Sequence, residues 1–154
     1  MTENTTATAT REIPASAADI FDLLSNPQRH SETDASGSVR SADFGERLQK
    51  VGDSFRMNMV KGDGSEYQTE NTVFAIQQNK VIGWKNEKNL TSDVVVGAKW
   101  LYELEPVDAG NTRVSLTYDY SDIENPTVVK MAKENFAKED GLEKSLNALA
   151  DALA

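Results

Sequence analysis

The sequence predicts an α+β fold: a seven-stranded antiparallel sheet curled around a long C-terminal helix, with two short helices after the first strand. Three observations carry this. A period-2 run opens the chain at Thr6 to Ile13, six more strand-like runs separated by short turns fill Gly37 to Asp122, and a helical period runs from Asn125-Pro126 almost to Ala154. The length of 154 residues falls within the roughly 100 to 200 typical of one domain, so residues 1–154 are read as a single unit.

The first run alternates Thr and Glu with Ala, Arg and Ile, as a half-buried strand rich in β-branched Thr does. At Ser16 the period changes. Ser16 with Asp19 three residues on makes a capping-box-like start, and Ala17, Ile20, Phe21 and Leu24 follow on one helical face. Asn26-Pro27 is a second start signal, Asn as cap and Pro at the first helical position, for a brief helix ending near Ser31. The six further strands are expected at Ser38 to Phe44, Asp53 to Lys61, Glu66 to Gln77, Val81 to Asn86, Ala98 to Val107 and Thr112 to Ser121. K-G-D-G at Lys61, Q-N-K at Gln78 and D-A-G-N at Asp108 suit antiparallel hairpins, so a meander is the simplest topology. The last helix is about 28 residues, or about 42 Å, long. Its stripe of Val129, Ala132 and Phe136 is rotated by roughly 80° from that of Leu142, Leu146, Leu149 and Leu153, and Gly141 at the phase change predicts a bend there.

Sixteen Lys and Arg against 25 Asp and Glu give a net charge of −9, a field that repels phosphate backbones and anionic membrane surfaces, so nucleic acid is excluded as an expected partner. Absence of Cys and a single His exclude disulfides, thiolate nucleophiles and the usual zinc ligand sets. No metal and no cofactor are expected. G-D-G-S-E-Y from Gly62 matches only two glycines of a dinucleotide-binding loop and falls in a hairpin, while Asp119, Asp122 and Glu124 lack the Gly and terminal Glu of a calcium loop. There is no apolar run of membrane-spanning length, and the start MTENTTATATREI has no basic and apolar export pattern. No membrane insertion and a cytoplasmic location are the expectations.

Seven strands at about 4.8 Å spacing make a sheet roughly 34 Å wide, and one helix about 10 Å across covers only part of it. The sheet must curl, and the remaining gap is filled by side chains or left hollow. Strand alternation assigns its lining to Phe55, Met57 and Met59, to Ile82 and Trp84, to Trp100, Tyr102 and Leu104, and to Val114, Leu116, Tyr118 and Tyr120. Aromatics that both pack and hydrogen-bond suit a mostly apolar small-molecule pocket, and Met adds adaptability. Tyr67, Asn71 and Phe136 complete the candidate ligand contacts. Asn71, polar inside a strand, would need a partner if buried, which a ligand hydroxyl or carbonyl could provide.

The order of elements, together with R-E-I-P-A-S-A-A-D-I-F-D-L-L at Arg11 to Leu24, resembles the helix-grip (START-like, SRPBCC) superfamily. G-D-S-F at Gly52, I-G-W at Ile82, and Gly97, Trp100, Tyr102, Leu104, Pro106, Gly110, Thr112 and Val114 are similar to its polyketide cyclase/dehydrase branch, the likeness spanning about Ala7 to Leu153. The resemblance implies a curved sheet gripping a long helix over a deep hydrophobic cavity. Its members bind lipids, hormones, polyketides and other hydrophobic molecules, and some catalyse a reaction.

Three functions stay open at this point. The first is non-covalent binding of a hydrophobic, aromatic or polycyclic small molecule, polyketide- or lipid-like. The second is a polyketide cyclase or dehydratase, which needs a base near an acidic C–H and a donor for the enolate oxygen. His30 and Asp34 at the predicted cavity mouth are the candidate bases, with Tyr67, Tyr102 or Tyr118 as donors. The third is a protein-interaction module of the co-chaperone kind. A Ser-His-Asp hydrolase is disfavoured because no G-x-S-x-G elbow is present.

Overall fold

A computed structural model describes residues 5–33, 39–44, 47–60, 63–135 and 139–153. Strand β1 (Thr6–Ile13) leads into helix α1 (Ala17–Leu24) and a 3-10 segment (Pro27–Thr33). Strands β2 (Val39–Phe44), β3 (Ser54–Val60), β4 (Glu66–Gln77), β5 (Val81–Asn89), β6 (Val94–Asp108) and β7 (Asn111–Asp119) follow, then helices α2 (Pro126–Asn135) and α3 (Glu139–Ala152). The strands form one antiparallel sheet in the order β1-β7-β6-β5-β4-β3-β2. The expected meander runs from β2 to β7, and β1 adds beside β7 with Ala7 opposite Tyr118 and Ile13 opposite Thr112. The connection from β1 to β2 therefore crosses the sheet from edge to edge, and it carries α1 and the 3-10 segment.

Local chemistry fixes the helix starts. Ser16 Oγ accepts the Asp19 N–H at 3.1 Å, Asn26 Oδ1 accepts the Gln28 N–H at 3.1 Å, and Asn125 Oδ1 accepts the Thr127 N–H at 2.9 Å; each satisfies a donor that the first helical turn leaves open. Pro27 and Pro126 take first helical positions, where no N–H is needed. The C-terminal helix is described as two segments. Residues 136–138 between them, Phe136 included, lie outside the described residues. Gly141, where the bend is predicted, stands in the first turn of α3. The inward stripe of α3 is the expected one, Leu142, Leu146 and Leu149 being buried, whereas α2 buries Val128 and Ala132, with Val129 only half-buried. Helix α3 packs against β1, β7 and the 3-10 segment, and Arg11 Nη1 donates to Asn147 Oδ1 at 2.8 Å.

The turn between β5 and β6 corrects the sequence reading. Both strands are longer than predicted, leaving only Leu90 to Asp93 to connect them. Asn89 Oδ1 accepts the N–H groups of Thr91 at 3.0 Å and Ser92 at 3.1 Å, and Asp93 takes φ 62°. An Asx turn followed by a left-handed Asp does here what a glycine does elsewhere. No helix among the described residues is long and apolar enough to cross a membrane.

Candidate functional site

On the helix-facing side of the sheet, the alternation of β3, β5, β6 and β7 brings the predicted rings together. Phe55, Met57, Ile82, Tyr102, Leu104, Val114, Leu116, Tyr118 and Tyr120 are buried, and Trp84 and Trp100 are half-buried on the same face. Register makes the wall continuous. Trp84 is opposite Trp100, Trp100 is opposite Tyr118, and Phe55 is opposite Asn71. The ring centroids of Trp100 and Tyr118 are 4.5 Å apart, those of Trp84 and Tyr102 5.7 Å, and those of Phe55 and Trp84 5.8 Å in an edge-to-face contact, all within the range of favourable aromatic pairing. Met59 and Tyr67, opposite each other on β3 and β4, are half-buried beside this wall.

His30 joins the wall from the 3-10 segment. It is buried, with its ring stacked on Trp84 at 4.7 Å and edge-on to Phe55 at 5.2 Å. Its Nε2 lies 2.7 Å from the Leu24 carbonyl oxygen, which accepts the ring proton. Burial away from water takes its pKa down to about 4, against the opposing pull of the Leu24 bond, so the imidazole is neutral at pH 7. A group of such low proton affinity is a weak general base near neutrality. Burial likewise raises the Tyr118 hydroxyl pKa, with Tyr120 adding to the effect. Asp34, the other candidate base, lies outside the described residues.

A polar strip crosses the wall. Thr69 and Asn71 are buried on β4, and Asn71 Nδ2 donates to Thr69 Oγ1 at 3.4 Å. Asn86 on β5 is opposite Asn71 on one side and Ala98 on the other. Sequence reasoning singled out Asn71 but missed Asn86 and Thr69. It ended the fifth strand at Asn86, so that residue read as the edge of a turn. The signal that finds it is register, since Asn86 keeps the period of Ile82 and Trp84.

A separate groove of about 400 Å³ lies between α1 and the β4–β5 turn, lined by Phe21, Asp22, Arg47, Ile76 and Gln78 among others. It shares no residue with the aromatic wall. Its rim is ionic, Arg47 Nη1 meeting Asp22 Oδ1 at 2.9 Å.

A family model described as polyketide cyclase / dehydrase and lipid transport matches residues 4–154. An uncharacterized protein of Mycobacterium tuberculosis, Rv0088, is 30% identical over 150 residues, covering 93% of this chain and 62% of the relative. The chain thus spans less than two thirds of the curated relatives it matches. Among solved structures, a START superfamily protein from Mycobacterium smegmatis aligns with a TM-score of 0.66 at 16% identity, over 98% of this chain and 100% of that one. The ginseng (Panax ginseng) major latex-like protein 151 aligns with a TM-score of 0.60 at 13% identity, over 97% and 98%.

Proposed function

Because the chain belongs to the polyketide cyclase / dehydrase and lipid transport family and has a START-like helix-grip fold, we propose that it binds a hydrophobic small molecule between the sheet and the C-terminal helices. The molecule is aromatic or polycyclic, of polyketide or lipid character. The observation that carries this reading is the half-covered indole pair Trp84 and Trp100, opposite each other in the middle of an otherwise buried aromatic wall. The His30 ring covers one face of Trp84, and a flat apolar ligand packs on what the two indoles leave open. Met59 at the border supplies a side chain that repacks around different shapes. None of the named lining side chains is charged, since His30 is neutral at pH 7, and this suits an uncharged guest. The low proton affinity of His30 also favours binding over proton-transfer catalysis.

The test has two parts. Solvent extraction of the purified protein and mass identification of what is released gives the natural ligand. Titration of ¹⁵N-labelled protein with 2-naphthol should move the indole N–H signals of Trp84 and Trp100. Shifts confined to the groove beside α1 or to the outer face of the sheet reject this reading and favour a docking module.

A further inference from the structure

We propose that Asn86 is the hydrogen-bonding anchor of the ligand site, its Oδ1 accepting from a hydroxyl or N–H borne by an otherwise apolar ring system; this rests on the binding function proposed above. Asn86 Oδ1 is buried and has no hydrogen-bond partner among the described residues. Buried side-chain acceptors are nearly always paired, because an unpaired one has lost its water bonds and gained nothing. Its cross-strand neighbours are Asn71 on β4 and Ala98 on β6. Asn71 offers no compensation: its amide is directed to Thr69 Oγ1 at 3.4 Å. Ala98 has no polar side chain.

The backbone around Asn86 is irregular in a way that supports a positioned group. Glu87 is an extra residue: Asn86 and Lys88 stand opposite the consecutive Asn71 and Glu70. On the other flank Asn86 and Lys88 stand opposite Ala98 and Val95, so β6 is displaced as well. Gly97, within that displaced stretch, has φ 95°, and a Cβ there would come within 3.3 Å of the Asp122 carbonyl oxygen. Irregularities on both flanks of one strand, beside a polar side chain on a ligand-facing wall, re-aim that side chain. Trp84 precedes Asn86 by two residues on the same face, so a ring packed against the part of Trp84 that His30 leaves open places a substituent next to Asn86 Oδ1. The site therefore selects ring systems with a donor over the same rings carrying a methyl group, because only the former satisfies the buried acceptor.

The experiment compares 2-naphthol with 2-methylnaphthalene, two probes of nearly equal shape, by NMR titration of the intact chain. In the wild type, 2-naphthol should bind about tenfold more tightly, and only 2-naphthol should shift the Asn86 side-chain amide signals. Asn86→Leu should remove this preference by weakening 2-naphthol about tenfold while leaving 2-methylnaphthalene unchanged or tighter. The same variant should raise the thermal unfolding midpoint of the free protein by about 3 °C, since it replaces an unpaired acceptor with an apolar group. Equal affinities in the wild type, a preference that survives in Asn86→Leu, or Asn86 amide signals that ignore 2-naphthol would each overturn the anchor and leave the binding function standing. If neither probe reaches the Trp84 and Trp100 indoles, the binding function falls and the anchor with it. The wild-type readings decide the matter even if the variant does not fold.

Discussion

His30 lies stacked on Trp84, centroids 4.7 Å apart and ring planes 21° from parallel. The contact fastens the 3-10 segment to the middle of the sheet through a residue that must stay uncharged to remain there. The sole titratable ring near neutrality is thereby built into the wall of the site, with its Nε2 proton held by Leu24.

That arrangement makes stability depend on pH over a defined interval. The His30 pKa falls from 6.5 in the unfolded chain to about 4 in the folded one, so between these values the unfolded state binds more protons. The stabilising contribution is complete above pH 6.5 and is lost as pH falls toward 4, amounting to about 2 kcal/mol between pH 7 and pH 5. Urea unfolding at both pH values measures it. His30→Gln, which does not titrate, should flatten the dependence, and an equal slope in both proteins refutes the assignment. Asp53, Asp108 and Asp122 have pKa values lowered from 3.8, so their losses begin below about pH 5 and leave the comparison between pH 7 and pH 5 to His30.

Gly83 is held by its neighbours. A Cβ there would sit 2.8 Å from Phe74 Cζ, 2.9 Å from Leu101 Cδ1 and 3.0 Å from the Trp100 carbonyl oxygen. The two side-chain ends can move, but the carbonyl belongs to the β6 backbone. Gly83→Ala should cost roughly 1 to 3 kcal/mol in denaturant unfolding. A neutral result would mean that β5 and β6 separate without strain.

Trp100→Ala should weaken 2-naphthol binding about tenfold, the order expected for losing one aromatic stacking partner. Gln78→Ala, in the groove beside α1, should leave the affinity unaltered. Calorimetry on both variants separates the two sites, and the reverse pattern would move the ligand to the groove.

Ser16→Ala removes the acceptor for the Asp19 N–H and should lower stability by about 1 kcal/mol, as loss of an N-cap does. Ser16→Asp should restore it in chemical denaturation. If both variants match the wild type, water replaces the cap without cost.

Much of this was legible because its chemistry is local. The Ser16, Asn26 and Asn125 caps, and the alternation that places Trp84, Trp100, Tyr102 and Tyr118 on one face, need only neighbouring residues. What escaped depends on distant ones. The β5–β6 connection contains neither Gly nor Pro, so Asn89 and Asp93, which make the turn, did not mark its tight limits, and the strands were cut short at Asn86 and Ala98. That cut hid Asn86 from the lining. The place of His30 depends on Phe55 and Trp84, which no local spacing brings near it. The crowding at Gly83 involves two other strands.

The pairing of β1 with β7 bears on how the molecule comes into being. Ala7 leaves the ribosome well before its partner Tyr118, so β1 waits through the synthesis of the other six strands with an unsatisfied edge. The loop between them must close before that pairing stabilises anything, which makes it a slow step. Completion of the sheet thereby waits until β7 has been made, and the nascent chain is most vulnerable to intermolecular strand pairing just before then.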